Sequence, residues 1–182
     1  MYFKRRYLIS NLTYKYSKFI LLACVFNASA QNFELPNPRL TPGAVDPSVS
    51  QENIHATVCV RGYTDRVRPE KEYTNRLKHE QLRQYHYPDL NPRNYEQDHL
   101  IPLNIGGSPS DPKNLWPQPR QGEWSSEQKN DLEFVVYKMV CRNEISLREA
   151  QQRMASNWIQ AYKDWVPSHR FLLPKNRRNQ LD

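Results

Sequence analysis

Between residues 124 and 141 the apolar side chains Leu132, Val135, Val136, Met139 and Val140 recur at three- and four-residue spacing, which predicts a helix with one apolar stripe. At about 100° per residue, Glu123, Glu127 and Asn130 fall on the opposite side, continued by Phe134 and Tyr137. A second helical pattern runs from Ser146 to about Trp165. Ser146 and Glu149 sit at capping-box spacing, and Leu147, Ala150, Met154, Trp158 and Tyr162 face inward. Residues 71–86 form a third, with Tyr73, Leu77, Leu82 and Tyr85 toward the core. Extended segments are expected at 56–60 (ATVCV), 95–103 and 114–116, the last stopped by Pro117 and Pro119. Pro88 and Pro92 mark a loop, and NIGGSPSDPK at 104–113 is turn chemistry throughout. The sum is an α+β chain whose centre reads strand, turn, strand, helix, with flanking helices.

The N-terminus follows a different pattern. Residues 2–18 are basic and polar, residues 19–26 (FILLACVF) are apolar, and Asn27-Ala28-Ser29-Ala30 offers small residues for a peptidase. This order predicts a signal peptide over residues 1–30, a cut before Gln31 and a periplasmic or secreted protein. Lipidation at Cys24 is a minority alternative. The expected layout continues with an extended arm at 31–54, a folded domain at 55–165 and a mobile basic tail at 166–182. No apolar run reaches the roughly 18 residues of a membrane span, so no stable insertion is expected once the signal is gone. A monomer is expected.

Export changes how charge and cysteine are read. The net charge of +7 includes Lys4, Arg5, Arg6, Lys15 and Lys18, all ahead of the cut. Bulk charge therefore says little about the remainder, and phosphate binding would need local clustering. Arg61, Arg66 and Arg68 interleave with Tyr63 ahead of a helix carrying Lys78, a strip suited to a nucleic-acid backbone. Of three cysteines, Cys59 and Cys141 survive cleavage. Two thiols in an oxidising compartment usually pair. Their loop of about 80 residues would contribute on the order of 3–4 kcal/mol on the chain-entropy model.

The central segment carries the candidate chemistry. Asp98-His99 lies in the first strand, Gly106-Gly107 permits a sharp turn, Asn114 opens the second strand, and Glu127 lies on the polar face of the helix. Phosphodiester hydrolysis needs a base to take a proton from water, and a neutral imidazole suits that work. His99 is the candidate base and Asn114 the group that orients it. Mg²⁺ or Mn²⁺ on carboxylate oxygens would stabilise the attacked phosphate, with Asp98 and Glu127 as candidate ligands and Glu123 or Asn130 as alternatives. Adjacent strand residues point to opposite faces, so Asp98 and His99 can share a site only where the strand bends or bulges.

The segment 95–118 (YEQDHLIPLNIGGSPSDPKNLWPQ) resembles the HNH endonuclease family, most closely its exported bacterial branch. The resemblance extends to TPGAV at 41–45, TVCVRGYTDRVRP at 57–69, residues 73–78 and residues 141–162. It implies a ββα-metal core and a metal-dependent endonuclease cutting DNA, with RNA left open, at low sequence specificity. His99 would be the general base, Asp98 a metal ligand and Asn114 the central asparagine. The family's helical metal-binding histidine falls at Glu127, which is a departure, and Asn130 stands where relatives carry Asp. Both cysteine positions match relatives. Two other readings stay open at this point. One is an exported, non-catalytic nucleic-acid-binding or surface protein with the same fold. The other is a secreted structural or adhesive module.

Overall fold

The computed structural model describes residues 33–178. The expected signal peptide and Cys24 lie outside the described residues. The described elements are α1 (Tyr63–Val67), α2 (Lys71–Gln84), β1 (Tyr95–His99), β2 (Leu115–Pro119), α3 (Ser126–Cys141), α4 (Leu147–Trp165) and α5 (Lys175–Arg178). Short 3-10 turns join them, and the class is α+β. Among the described residues no helix is long and apolar enough to cross a membrane.

β1 and β2 form a two-stranded antiparallel hairpin in which Asp98 faces Trp116 and His99 faces Leu115. β2 is longer than expected and contains Pro117 and Pro119. The two prolines sit at alternate positions, so both missing N–H groups fall on the open edge of the hairpin. That edge is also covered: the Leu115 carbonyl accepts from Gln81 Nε2 (2.7 Å) and Thr41 Oγ1 (3.1 Å). β1 is shorter than expected because the chain bends at Leu100 and Ile101 and then enters a 3-10 turn at Leu103–Ile105.

Two helices hold opposite faces of the hairpin. From α2, Gln81 Oε1 accepts from Gln97 Nε2 at 2.6 Å, and from α3, Lys129 reaches Asp98, the next residue along the strand. α3 begins at Ser125, whose side chain accepts from the Glu127 amide. Its stripe of Leu132, Val135, Val136, Met139 and Val140 is buried, as its spacing predicts. The stripe shares one core with Leu147, Ala150, Met154 and Trp158 of α4. α4 is not continuous. Asn157 leaves helical geometry, and its Oδ1 caps the second half by accepting from the Gln160 amide at 3.0 Å.

Three expectations are corrected. Residues 56–60 form no strand: the Cys59 amide bonds to the Ile54 carbonyl and the Val60 amide to the Thr57 carbonyl, so the β-branched run is spent in local turns. The segment read as an arm is built into the fold. Thr41, Val49 and Ile54 are buried, and backbone bonds join Gly43 to Lys113, Asp46 to Gly106 and Ser108 to Ala44. The segment read as a mobile tail packs back through buried Val166 and Leu173, and Arg177 of α5 pairs with Asp131 at 2.8 and 2.9 Å. Cys59 and Cys141 are joined in a disulfide with Cα atoms 5.7 Å apart, tying these turns to the end of α3.

Candidate functional site

The site is assembled at the end of β1 where the chain bends. His99 is 5% exposed, and its Nε2 lies 2.8 Å from the Pro109 carbonyl oxygen. A carbonyl only accepts, so Nε2 carries the proton in the neutral ring and Nδ1 keeps the lone pair. Among the described residues Nδ1 has no hydrogen-bond partner. Burial, the largest influence, pushes the His99 pKa below its ordinary value. The Pro109 bond and Asp98 oppose the shift, and Lys129 and Arg68 reinforce it. The imidazole is thereby held neutral, the form a base needs.

Asn114 supports this arrangement indirectly. Its Oδ1 accepts from the Ile101 amide at 2.9 Å and the Ala44 amide at 3.4 Å. Its Nδ2 donates to the carbonyls of Ile101 (2.9 Å) and Ser108 (3.0 Å). The buried amide thus clamps the bend after His99 to the residue preceding Pro109, whose carbonyl holds the ring. Gly107 lies inside the same clamp. A Cβ there would stand 1.7 Å from the Ile101 carbonyl oxygen, so only glycine allows this approach.

Asp98 is engaged from α3. The Lys129 side chain is fully buried, and its ammonium donates to Asp98 Oδ2 (2.6 Å), to the His99 carbonyl (2.7 Å) and to Glu133 Oε1. Burial opposes charge on Lys129, but the carboxylates of Asp98 and Glu133 outweigh it and hold the ammonium protonated. Burial, set against the attraction of Lys129, pushes Glu133 up to about 7. Sequence reasoning missed this pair. The available signal was a lysine three residues before Leu132, on the apolar side of the helix, with a glutamate four residues on.

The other candidates lie apart from this cluster. Glu127 has a 59% exposed side chain paired with Arg177, and Glu123 and Asn130 are exposed. Glu127 and Asn130 line a cavity of about 490 Å³ together with Glu96, Asp131, Phe134 and Arg177. Arg61, Arg66 and Arg68 are exposed. Arg61 lines a groove with Val60, Asn104, Phe134 and Tyr137, whereas Lys78 lines a separate concavity against α2. The expected strip is therefore divided, with Arg68 the arginine whose charge is felt at His99.

Among the described residues no three His, Cys, Asp or Glu side chains group to hold a metal ion. Asp98 keeps one carboxylate oxygen beyond its bond to Lys129, and its side chain is 14% exposed. A hydrated Mg²⁺ asks for one or two carboxylates and completes its shell with water and substrate phosphate oxygens. Asp98 fits that demand; Glu127 fits it only by leaving Arg177. No family model, no curated protein and no solved structure matches the chain.

Proposed function

We propose that the protein is an exported, metal-dependent endonuclease of the HNH type that hydrolyses DNA, and RNA where it fits, with little sequence preference. The observation that carries this reading is the buried His99 ring, fixed through Nε2 to Pro109 so that Nδ1 keeps its lone pair. In the reaction, Nδ1 takes a proton from water as its oxygen attacks phosphorus, and O3′ leaves with a proton from solvent. Ends with 5′-phosphate and 3′-hydroxyl result, as the family resemblance implies. The Asn114 clamp keeps the Pro109 carbonyl on Nε2, so the ring does not turn its proton toward the water. Arg68, exposed and close enough to influence His99, is suited to a phosphate oxygen. Asp98 would hold Mg²⁺ or Mn²⁺ together with water and phosphate oxygens, Glu127 joining it only by leaving Arg177. When bound, that ion would supply Lewis-acid stabilisation of the phosphate's developing charge.

A second reading, a nucleic-acid-binding protein without catalysis, is favoured by one observation: Glu127 is already paired with Arg177. Purified oxidised protein incubated with supercoiled plasmid separates the two. The nuclease reading predicts nicking and linearisation with Mg²⁺ or Mn²⁺ and none with EDTA. Salt-sensitive binding without cutting under either metal supports the second.

A further inference from the structure

The proposed nuclease must hold a phosphate backbone beyond the scissile bond, and the strip around Arg61 does not continue to Lys78. A concavity of about 340 Å³ opens between α2 and the start of the hairpin, lined by Asn75, Lys78, His79, Arg93, Tyr95 and Arg120. Three of these residues are cationic and none is acidic. Lys78 is half-buried, and its ammonium donates only to the carbonyls of Pro92 (3.4 Å) and Tyr95 (3.3 Å). Among the described residues neither Lys78 nor Arg93 has a carboxylate partner. Glu96, outside the lining, is bound to Arg120 at 2.9 Å. Burial, followed by repulsion from Arg120, pushes the Lys78 pKa below its ordinary value. Glu96 offsets Arg120, and the charges of Lys78 and Arg93 at this concave surface would be stabilised by an anion.

The position of the concavity relates it to His99. Tyr95, Gln97 and His99 alternate along β1 and so share one face of the strand, the face on which Gln81 of α2 meets Gln97. Tyr95 and His99 are four residues apart, about 13–14 Å of strand. With its reacting phosphate at His99 near Arg68, a backbone passing around α2 would bring a phosphate a few nucleotides away to Lys78, Arg93 and Arg120.

We infer that this concavity is a phosphate-binding subsite for the nucleic-acid backbone, remote from the scissile bond. The inference rests on the nuclease reading. Its chemistry is shared by free phosphate, so the test has two arms, both on the oxidised wild-type protein and a Lys78→Gln/Arg93→Gln double variant in EDTA. Neither residue belongs to the catalytic machinery, and thermal unfolding of the variant checks that the fold is kept. In the first arm, binding of a labelled duplex is followed by anisotropy from 50 to 200 mM salt. The double variant should bind about tenfold more weakly at 100 mM salt, and its log–log salt slope should be shallower by about 2, near one for each phosphate contact removed. In the second arm, inorganic phosphate is titrated by calorimetry. Unchanged duplex affinity and slope, with wild-type plasmid cutting in Mg²⁺, would overturn the subsite and leave the nuclease standing. Loss of inorganic phosphate binding with unchanged duplex binding would make it a free-anion site and also overturn the inference. A wild-type protein that neither cuts nor binds nucleic acid removes both proposals together.

Discussion

At the residue scale the protein depends on polar groups whose partners are backbone atoms. Asn114 is buried with both amide hydrogens and both oxygen lone pairs used, which is why an asparagine, with two donors and two acceptors, stands there. Asn114→Ala removes the partner of the Ile101 and Ala44 amides and of the Ile101 and Ser108 carbonyls. Since each orphaned buried group costs about 1–3 kcal/mol, a loss of roughly 3 kcal/mol in urea-unfolding free energy is expected. Asn114→Asp should be no better, because a carboxylate meets the carbonyls of Ile101 and Ser108 with acceptors only. Wild-type stability in Asn114→Asp would refute the clamp. Lys129 resembles Asn114 in joining separated pieces, here Asp98, the His99 carbonyl and Glu133. The sequence signals the Lys129–Glu133 spacing but not the reach of Lys129 to Asp98 and His99, nor the bonds of Asn114. Asp98, His99 and Asn114 were legible as a constellation, yet the means by which Asn114 serves His99, through Ile101, Ser108 and Pro109, depends on a bend that no periodicity encodes.

At the element scale the hairpin is too small to stand alone and is held by α2 and α3. The helices were legible because each carries a stripe that one spacing explains: Leu132 to Val140 in α3, and Leu147 to Trp158 in α4, which starts where Ser146 Oγ accepts from the Glu149 amide. What was not legible has physical reasons. Ala56 to Val60 has strand composition but finds no strand to pair with, so its amides turn to Ile54 and Thr57. The Pro-rich segment 33–50 lacks periodicity because it is held by single backbone bonds and by isolated buried side chains such as Thr41 and Val49. Arg177 has a basic tail's composition, and its return to Asp131 and Glu127 on α3 is a tertiary event. The Cys59–Cys141 bond spans a sequence separation of 82 and anchors turns that have no sheet of their own. Reducing it should cost about 4 kcal/mol, or 10–15 °C in Tm for a domain of this size. Melting with and without reductant, with cleavage assayed alongside, checks this. Such a loss would confine activity to oxidising compartments; unchanged Tm and full cleavage in strong reductant would contradict it.

At the scale of the whole molecule, aromatic packing joins the first described residues to the centre. Phe33, Tyr87 and Tyr95 meet at ring-centroid distances of 4.6 and 4.8 Å, and Tyr85 stacks on Tyr87 at 5.5 Å. Burial pushes Tyr85 up to about 12 despite its bond to Thr41. It raises Tyr87 further, and the Tyr87 hydroxyl is buried without a partner among the described residues. Raised folded-state pKa values give stability that is complete below the unfolded value near 10 and is lost as pH climbs toward 12. Urea midpoints should therefore fall between pH 10 and 11, and Tyr87→Phe should flatten that fall without lowering stability at pH 7. A parallel decline in both proteins would contradict the assignment. Buried Val49, Ile54, Val166 and Leu173 bring residues 33–55 and 166–178 into one core with the hairpin, so the proposed site is supported from both ends of the described chain. The central claim is that His99 removes the proton from water. It is tested most directly by single-turnover plasmid cleavage in Mg²⁺ by wild type and His99→Ala, at equal duplex affinity and with matched circular dichroism. The account predicts a rate lower by about 10²–10⁴-fold in His99→Ala. Cleavage at the wild-type rate by a folded His99→Ala protein would contradict it.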